Sequence, residues 1–255
     1  MTLKGMNERG VSEAIGFVLI LGLMITSIAM VTLYGYPVLL KEQSNTDVRN
    51  MERAMIVIQN DIKNLCYKSV PYEETALQVS GGSLEVVDAG AALSSFNITT
   101  SEGFSTGDIS LGKFRYFSDR GSAVIALENG AVLTRQDGQQ GSAILAEPRW
   151  FFDDSTDTLV VYTINISASE PLSTMGMSTV RMSLTSPTTV MNTSFGASMG
   201  VNVIYAPDTD DDYSTGWKNY LNGTLDMAET AANTYTLTGV EKLIVKSYTV
   251  TVHSV

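Results

Sequence analysis

The sequence predicts an α+β protein. A long N-terminal hydrophobic α-helix, kinked near Pro37, continues into an amphipathic helix packed on a mainly antiparallel β-sandwich or barrel-like domain. Three observations predict it. No charged side chain occurs from Ala14 to Leu40, a run longer than the ~20 residues a helix needs to cross the hydrocarbon core. From Val48 to Leu65, apolar side chains recur every three or four positions, the period of one helix face. Beyond Ser69 the chain changes to short β-branched and aromatic runs separated by Gly, Ser, Asn and Asp, the texture of strands and turns.

The apolar run is the first element. Lys4 and Arg9 precede it, so its N-terminal end is expected in the cytoplasm and everything after Lys41 outside. A secretory signal peptide fits poorly, because its apolar core spans roughly 7–15 residues and ends at a small-residue cleavage site. Gly16, Gly22, Thr26, Ser27, Ala29 and Gly35 are small and permit close helix approach. Gly35-Tyr36-Pro37 interrupts the run: proline lacks the amide donor and disfavours helix at the residue before it. Tyr34 and Tyr36 fit an aromatic interface belt.

The second helix is expected from about Val38 to Tyr67. Its stripe of Val48, Met51, Met55, Ile58, Ile62 and Leu65 is too short for an independent coiled coil and is read as docking on the C-terminal domain. In that domain the clearest unit is Ala123–Glu128, Asn129-Gly130, Ala131–Arg135, since Asn-Gly between apolar runs is the strongest short hairpin signal. Further strands are expected at 76–79, 83–87, 95–99, 114–117, 158–167, 179–185, 201–205 and 242–252. A short helix is expected after Ser214 as its cap, with Trp217 and Leu221 anchoring it to the sheet.

Composition excludes several functions. The 255-residue chain carries a formal net charge of −11 and no basic patch after the apolar run, so no nucleic acid is expected as a partner. Cys66 and His253 are the only residues of their types. No intramolecular disulfide or Cys/His metal cluster follows, and no nucleophile–His site is visible. Glu73-Glu74, Glu147 and Asp153-Asp154 read as solvated turn charges rather than a glycosidase pair. The chain is therefore expected not to be an enzyme and to need no cofactor.

Arg9-Gly10 followed by Val11-Ser12-Glu13-Ala14-Ile15-Gly16-Phe17-Val18-Leu19 resembles an archaeal type IV prepilin signal. The resemblance implies cleavage by a prepilin peptidase between Gly10 and Val11. Val11-Ser12-x-x-Ile15-Gly16 is similar to the start of the archaeal type IV pilin N-terminal domain. It departs at the third mature residue, Glu13, where proline is frequent, and Ile15 stands where bacterial pilins carry glutamate. Segments 77–84, 128–132, 149–152 and 217–220 loosely resemble a large extracellular domain of uncharacterised archaeal pilin-like proteins.

The implied organisation is a leader at 1–10, a hydrophobic transmembrane or assembly helix at 11–40, an amphipathic helix at 41–68 and an extracellular β-rich domain at 69–255. Cleavage would leave a new ammonium on Val11. In a bundle of apolar helices a neighbour's ammonium offsets the cost of the Glu13 carboxylate, an assembly role; in a plain anchor Glu13 lies in the headgroup zone. The expected function is a major or minor pilin-like subunit of an archaeal surface filament, serving adhesion and partnered by other pilin subunits or itself through the helix. The alternative is a single-pass, membrane-anchored envelope glycoprotein or binding module that does not polymerise.

Two further site types are expected. The sequons at Asn97, Asn165, Asn192 and Asn222 are candidate glycosylation sites in an exported chain. Asp208, Asp210 and Asp212 alternate as calcium ligands do in a D-x-D-x-D loop, although Tyr213 replaces the turn glycine of an EF-hand. The other reading is an acidic turn before a helix N-terminus.

Overall fold

The computed structural model describes residues 6–68 and 70–255, without the side chains of 6–11, 186–188, 196 and 197. Lys4 and the first half of the predicted leader lie outside the described residues. The chain forms two compact units, Met1–Thr46 and Asp47–Val255.

In the first unit, α1 (Met6–Met30) leads through a π-helical segment, Val31–Gly35, into α2 (Tyr36–Lys68). The predicted kink thus takes the form of a widened turn. The Tyr36 N–H reaches back to the Val31 carbonyl, skipping one residue relative to an α-helix just where Pro37 has no donor to offer. Thr26, Ser27 and Thr32 donate their hydroxyls to the carbonyls of Gly22, Leu23 and Ile28, which satisfies them without water. The apolar side chains point outward: Phe17 is 67 % and Leu23 68 % exposed.

The second unit holds the remainder of α2 and a 12-stranded sheet. Its strands are β1 (Tyr72–Val87), β2 (Ser95–Thr100), β3 (Ile109–Ser110), β4 (Lys113–Ser118), β5 (Ala123–Glu128), β6 (Ala131–Gln136), β7 (Ser142–Ala146), β8 (Phe151–Asp153), β9 (Thr158–Ala168), β10 (Leu172–Ala206), β11 (Ala228–Ala231) and β12 (Thr234–Ser254), with α3 (Ser214–Gly223) between β10 and β11. The order is β7-β6-β5-β4-β1-β10-β12-β9-β8, with β2 on β10, β3 on β2 and β11 on β12. All pairs are antiparallel except β12 with β9. The expected sandwich or barrel-like arrangement is realised as one open sheet. The separate strands expected at 76–79 and 83–87 are one strand, as are 179–185 and 201–205, while β3, β7, β8 and β11 gave no separate signal.

Both faces of this sheet are covered over the hairpin, which explains why every residue of β5 is buried. On one face Met51, Met55, Ile58, Ile62 and Leu65 of α2 pack with Ile125 and Leu127. On the other, Ala126 joins Phe96, Trp150, Trp217 and Leu221. The Phe96 and Trp217 rings meet edge to face, 4.8 Å between centroids, a favoured aromatic geometry. Trp217 and Leu221 therefore anchor α3 as expected.

The Asn129-Gly130 turn has φ of 49° and 74°, the type I′ conformation that matches strand twist. Gly112, before β4, must be glycine for space: a Cβ there would lie 1.8 Å from the Ile166 carbonyl oxygen.

Candidate functional site

The most chemically loaded place in the second unit is a buried charge cluster. Register makes Lys113, at the start of β4, the cross-strand partner of Glu128, at the end of β5. Both side chains emerge on the α3 face. The segment between β10 and α3 then lays Asp211 over them, and its Oδ2 is 2.7 Å from Lys113 Nζ. Lys113 is 1 % exposed, and Glu128 and Asp211 are fully buried. Glu128 Oε2 lies 3.8 Å from the same Nζ.

The surrounding groups fix these side chains. Arg135 donates from Nε to Asp211 Oδ1 at 2.9 Å and from Nη2 to the Asp210 carbonyl at 2.8 Å. Arg115, which also pairs with Glu85, has Nη1 3.6 Å from Asp211 Oδ2. Glu128 accepts from Ser94 Oγ at 2.9 Å, Trp217 Nε1 at 3.1 Å and the Tyr205 hydroxyl at 3.2 Å. Burial pushes the Glu128 pKa up, against the pull of Lys113 and these hydrogen bonds. For Asp211 burial acts in the same sense, but the Lys113 charge beside it and the hydrogen bond from Arg135 outweigh it, and its pKa is lowered.

The three alternating acids Asp208, Asp210 and Asp212 each have a separate partner. Asp208 Oδ1 accepts the Asp210 N–H at 3.0 Å, and its Oδ2 lies 3.9 Å from Lys113. Asp210 contributes its carbonyl to Arg135. Asp212 accepts the Ser214 N–H at 2.7 Å. Among the described residues no three Asp, Glu, His or Cys side chains are placed to hold a metal ion. The residue the alternating pattern skips, Asp211, is the one turned inward, because Lys113 and Arg135 are there to meet it.

The expected cap at Ser214 is corrected. Ser214 is the first residue of α3 and makes no side-chain capping bond. Instead the Asp212 carboxylate takes the Ser214 N–H, and Ser142 Oγ of β7 takes the Gly216 N–H at 2.9 Å, so two otherwise orphaned donors are met from outside the helix.

The four sequons differ. Asn97 is half-buried and bonded through both amide atoms, to Asp108 and Ser105. Asn165 is half-buried on β9 and accepts the Gly112 N–H. Asn222 is half-buried on α3, its Oδ1 enclosed. Asn192, on β10, is exposed.

At the N-terminus, Gly10 and Val11 lie within α1, the Val11 side chain being outside the described residues, and Glu13 is exposed on the same helix. His253 is exposed on β12, with Nε2 2.8 Å from Ser183 Oγ. Cys66 is buried on α2, and burial pushes its thiol up to about 12. Glu74 pairs with Arg181, Glu147 accepts from Thr224, and Asp153 closes its own turn with Ser155 and Thr156.

Residues 9–255 match the family described as "Family of unknown function (DUF7289)". No curated protein and no solved structure matches the chain.

Proposed function

Since the chain belongs to the DUF7289 family, whose function is unknown, we propose from its own residues that it is a type IV pilin-like subunit of an archaeal surface filament. A prepilin peptidase removes residues 1–10. The helix from Val11 holds the subunit in the membrane and then packs among the same helices of other subunits, with the β-rich unit outward and serving adhesion. The observation that carries the reading is the apolar helix directly behind Arg9-Gly10. Among the described residues one helix, Ser12–Lys68, is long and apolar enough to cross a membrane, and the large apolar side chains from Ile15 to Leu39 are outward-facing. Such a surface requires lipid or other helices around it. Small residues along it and the docking of Met51–Leu65 on a β-sheet support the same reading.

The test is the mature N-terminus. Mass spectrometry of the native protein is expected to find Val11 first, in a sheared filament fraction. A chain beginning at Met1 or Thr2, found only in membranes, would overturn the filament reading in favour of a single-pass envelope glycoprotein.

A further inference from the structure

Lys113 Nζ and Asp211 Oδ2 are 2.7 Å apart. Both atoms are buried, and neither makes a hydrogen bond of normal geometry. A buried ion pair is held against a large desolvation cost, and this one lacks the hydrogen-bond alignment that offsets it. The contact does have the elements of a reaction: an amine against a carboxyl group, a second carboxyl group 3.8 Å from the amine, and an aromatic enclosure of Tyr205, Tyr213 and Trp217 that keeps water away.

We propose that Lys113 and Asp211 become joined by an amide bond within the folded chain, with Glu128 as the proton relay. The first step moves a proton from the Lys113 ammonium to Asp211 Oδ2, against the lowered pKa of Asp211, and gives the neutral amine and acid from which an amide forms. The amine lone pair then forms the Nζ–Cγ bond. Negative charge gathers on Oδ1, where the Arg135 Nε–H already donates at 2.9 Å, as a preorganised donor should for such an oxyanion. Glu128, its pKa raised by burial and its Oε2 3.8 Å from the Lys113 Nζ, gives a proton to Oδ2 and takes one back from the nitrogen. The Cγ–Oδ2 bond breaks with its electron pair, and one water leaves. Of the three ammonium protons, two depart in that water and one stays on the amide. The charges of the starting pair cancel, so no oxidant, reductant or activating group is needed. The pair is pre-positioned by the β4–β5 register and the β10–α3 segment, the proximity that makes such a step intramolecular.

The product would tie the start of β4 to the segment before α3 and close a long loop covalently. It does not rest on the filament reading, since it is read on the single chain. The test is mass spectrometry of the full chain purified from membranes in detergent. The mature protein is expected to be lighter than its sequence by one water. Trypsin is expected to leave Lys113 uncut and to yield a branched peptide joining residues 69–115 to 182–218. Lys113→Arg cannot form the bond and is expected to show the full mass. Glu128→Gln, a near-isosteric replacement that cannot relay a proton, is expected to lack the branched peptide as well. Wild-type protein cut after Lys113, with no branched peptide, would overturn the proposal. A branched peptide at undiminished yield in Glu128→Gln would overturn the relay.

Discussion

Gln59, on the buried face of α2, donates its Nε2 to the carbonyl of Gly130 at 2.7 Å. The same amide reaches the Glu147 carbonyl at 3.1 Å. From the other side, Asn129 Oδ1 accepts the Ile164 N–H of β9 at 2.8 Å. The β5–β6 turn is thus a fixed point of the second unit: helix and sheet both close on it.

Gln59→Leu should expose this dependence. The substitution keeps the apolar contacts of α2 but leaves buried carbonyls without their donor, at a cost of roughly 1–3 kcal/mol. Thermal unfolding followed by circular dichroism should show a Tm drop of roughly 3–10 °C. An unchanged Tm would mean that the turn does not depend on the helix amide.

Two glycine substitutions should behave oppositely. Gly112→Ala forces a Cβ against the Ile166 carbonyl, 1.8 Å away, and should destabilise by about 3 kcal/mol, the upper range of overpacking. Gly223→Ala, at the end of α3 with open space around its Cβ, should be neutral or gain up to about 1 kcal/mol. Denaturant melts of both variants check this, and equal effects would contradict the close approach of Gly112 to β9.

Asp88 gives a pH signature. It accepts the Ala168 N–H at 2.9 Å, the Ser167 hydroxyl at 2.8 Å and the Gly90 N–H at 2.7 Å. Burial tends to raise its pKa, but these hydrogen bonds outweigh it, and the folded-state value is lowered. A lowered acid stabilises the fold at pH above its unfolded value, about 3.9. That contribution is lost as pH falls through the folded value. The Tm difference between wild type and Asp88→Asn should therefore be largest near neutrality and shrink below about pH 4. A difference that does not change with pH would assign Asp88 a role independent of its charge.

Asn192 should be the first of the four sequon asparagines to carry a glycan, since it is exposed where the others are half-buried. Asn192→Gln should remove one glycan increment in intact-mass spectra of protein from the native host. The same spectra for Asn165→Gln should be unchanged. The reverse pattern would show that modification precedes folding.

Gly10→Asp should block processing and leave the chain at its unprocessed mass in the membrane fraction. If filaments persist unchanged in that mutant, with no wild-type copy present, this chain is not their building block.

The elements with local periodicity are written in the chain itself. The charge-free run to Leu40, the Met51–Leu65 stripe and the Asn129-Gly130 turn are each specified within a few neighbouring residues, so each was legible without a partner. What those elements meet is set by packing between distant segments. That β9 lies parallel to β12 and that the sheet stays open are matters of pairing between distant strands, which a period of two cannot encode. The charge cluster is the sharpest case. Asp208, Asp210 and Asp212 stood out by spacing, yet Asp211 is the acid that turns inward, because the β4–β5 register and the path of β10 bring Lys113 and Arg135 to it. A charge buried in a protein is held by its partner, and here the partner is set by long-range register rather than by neighbours in the chain.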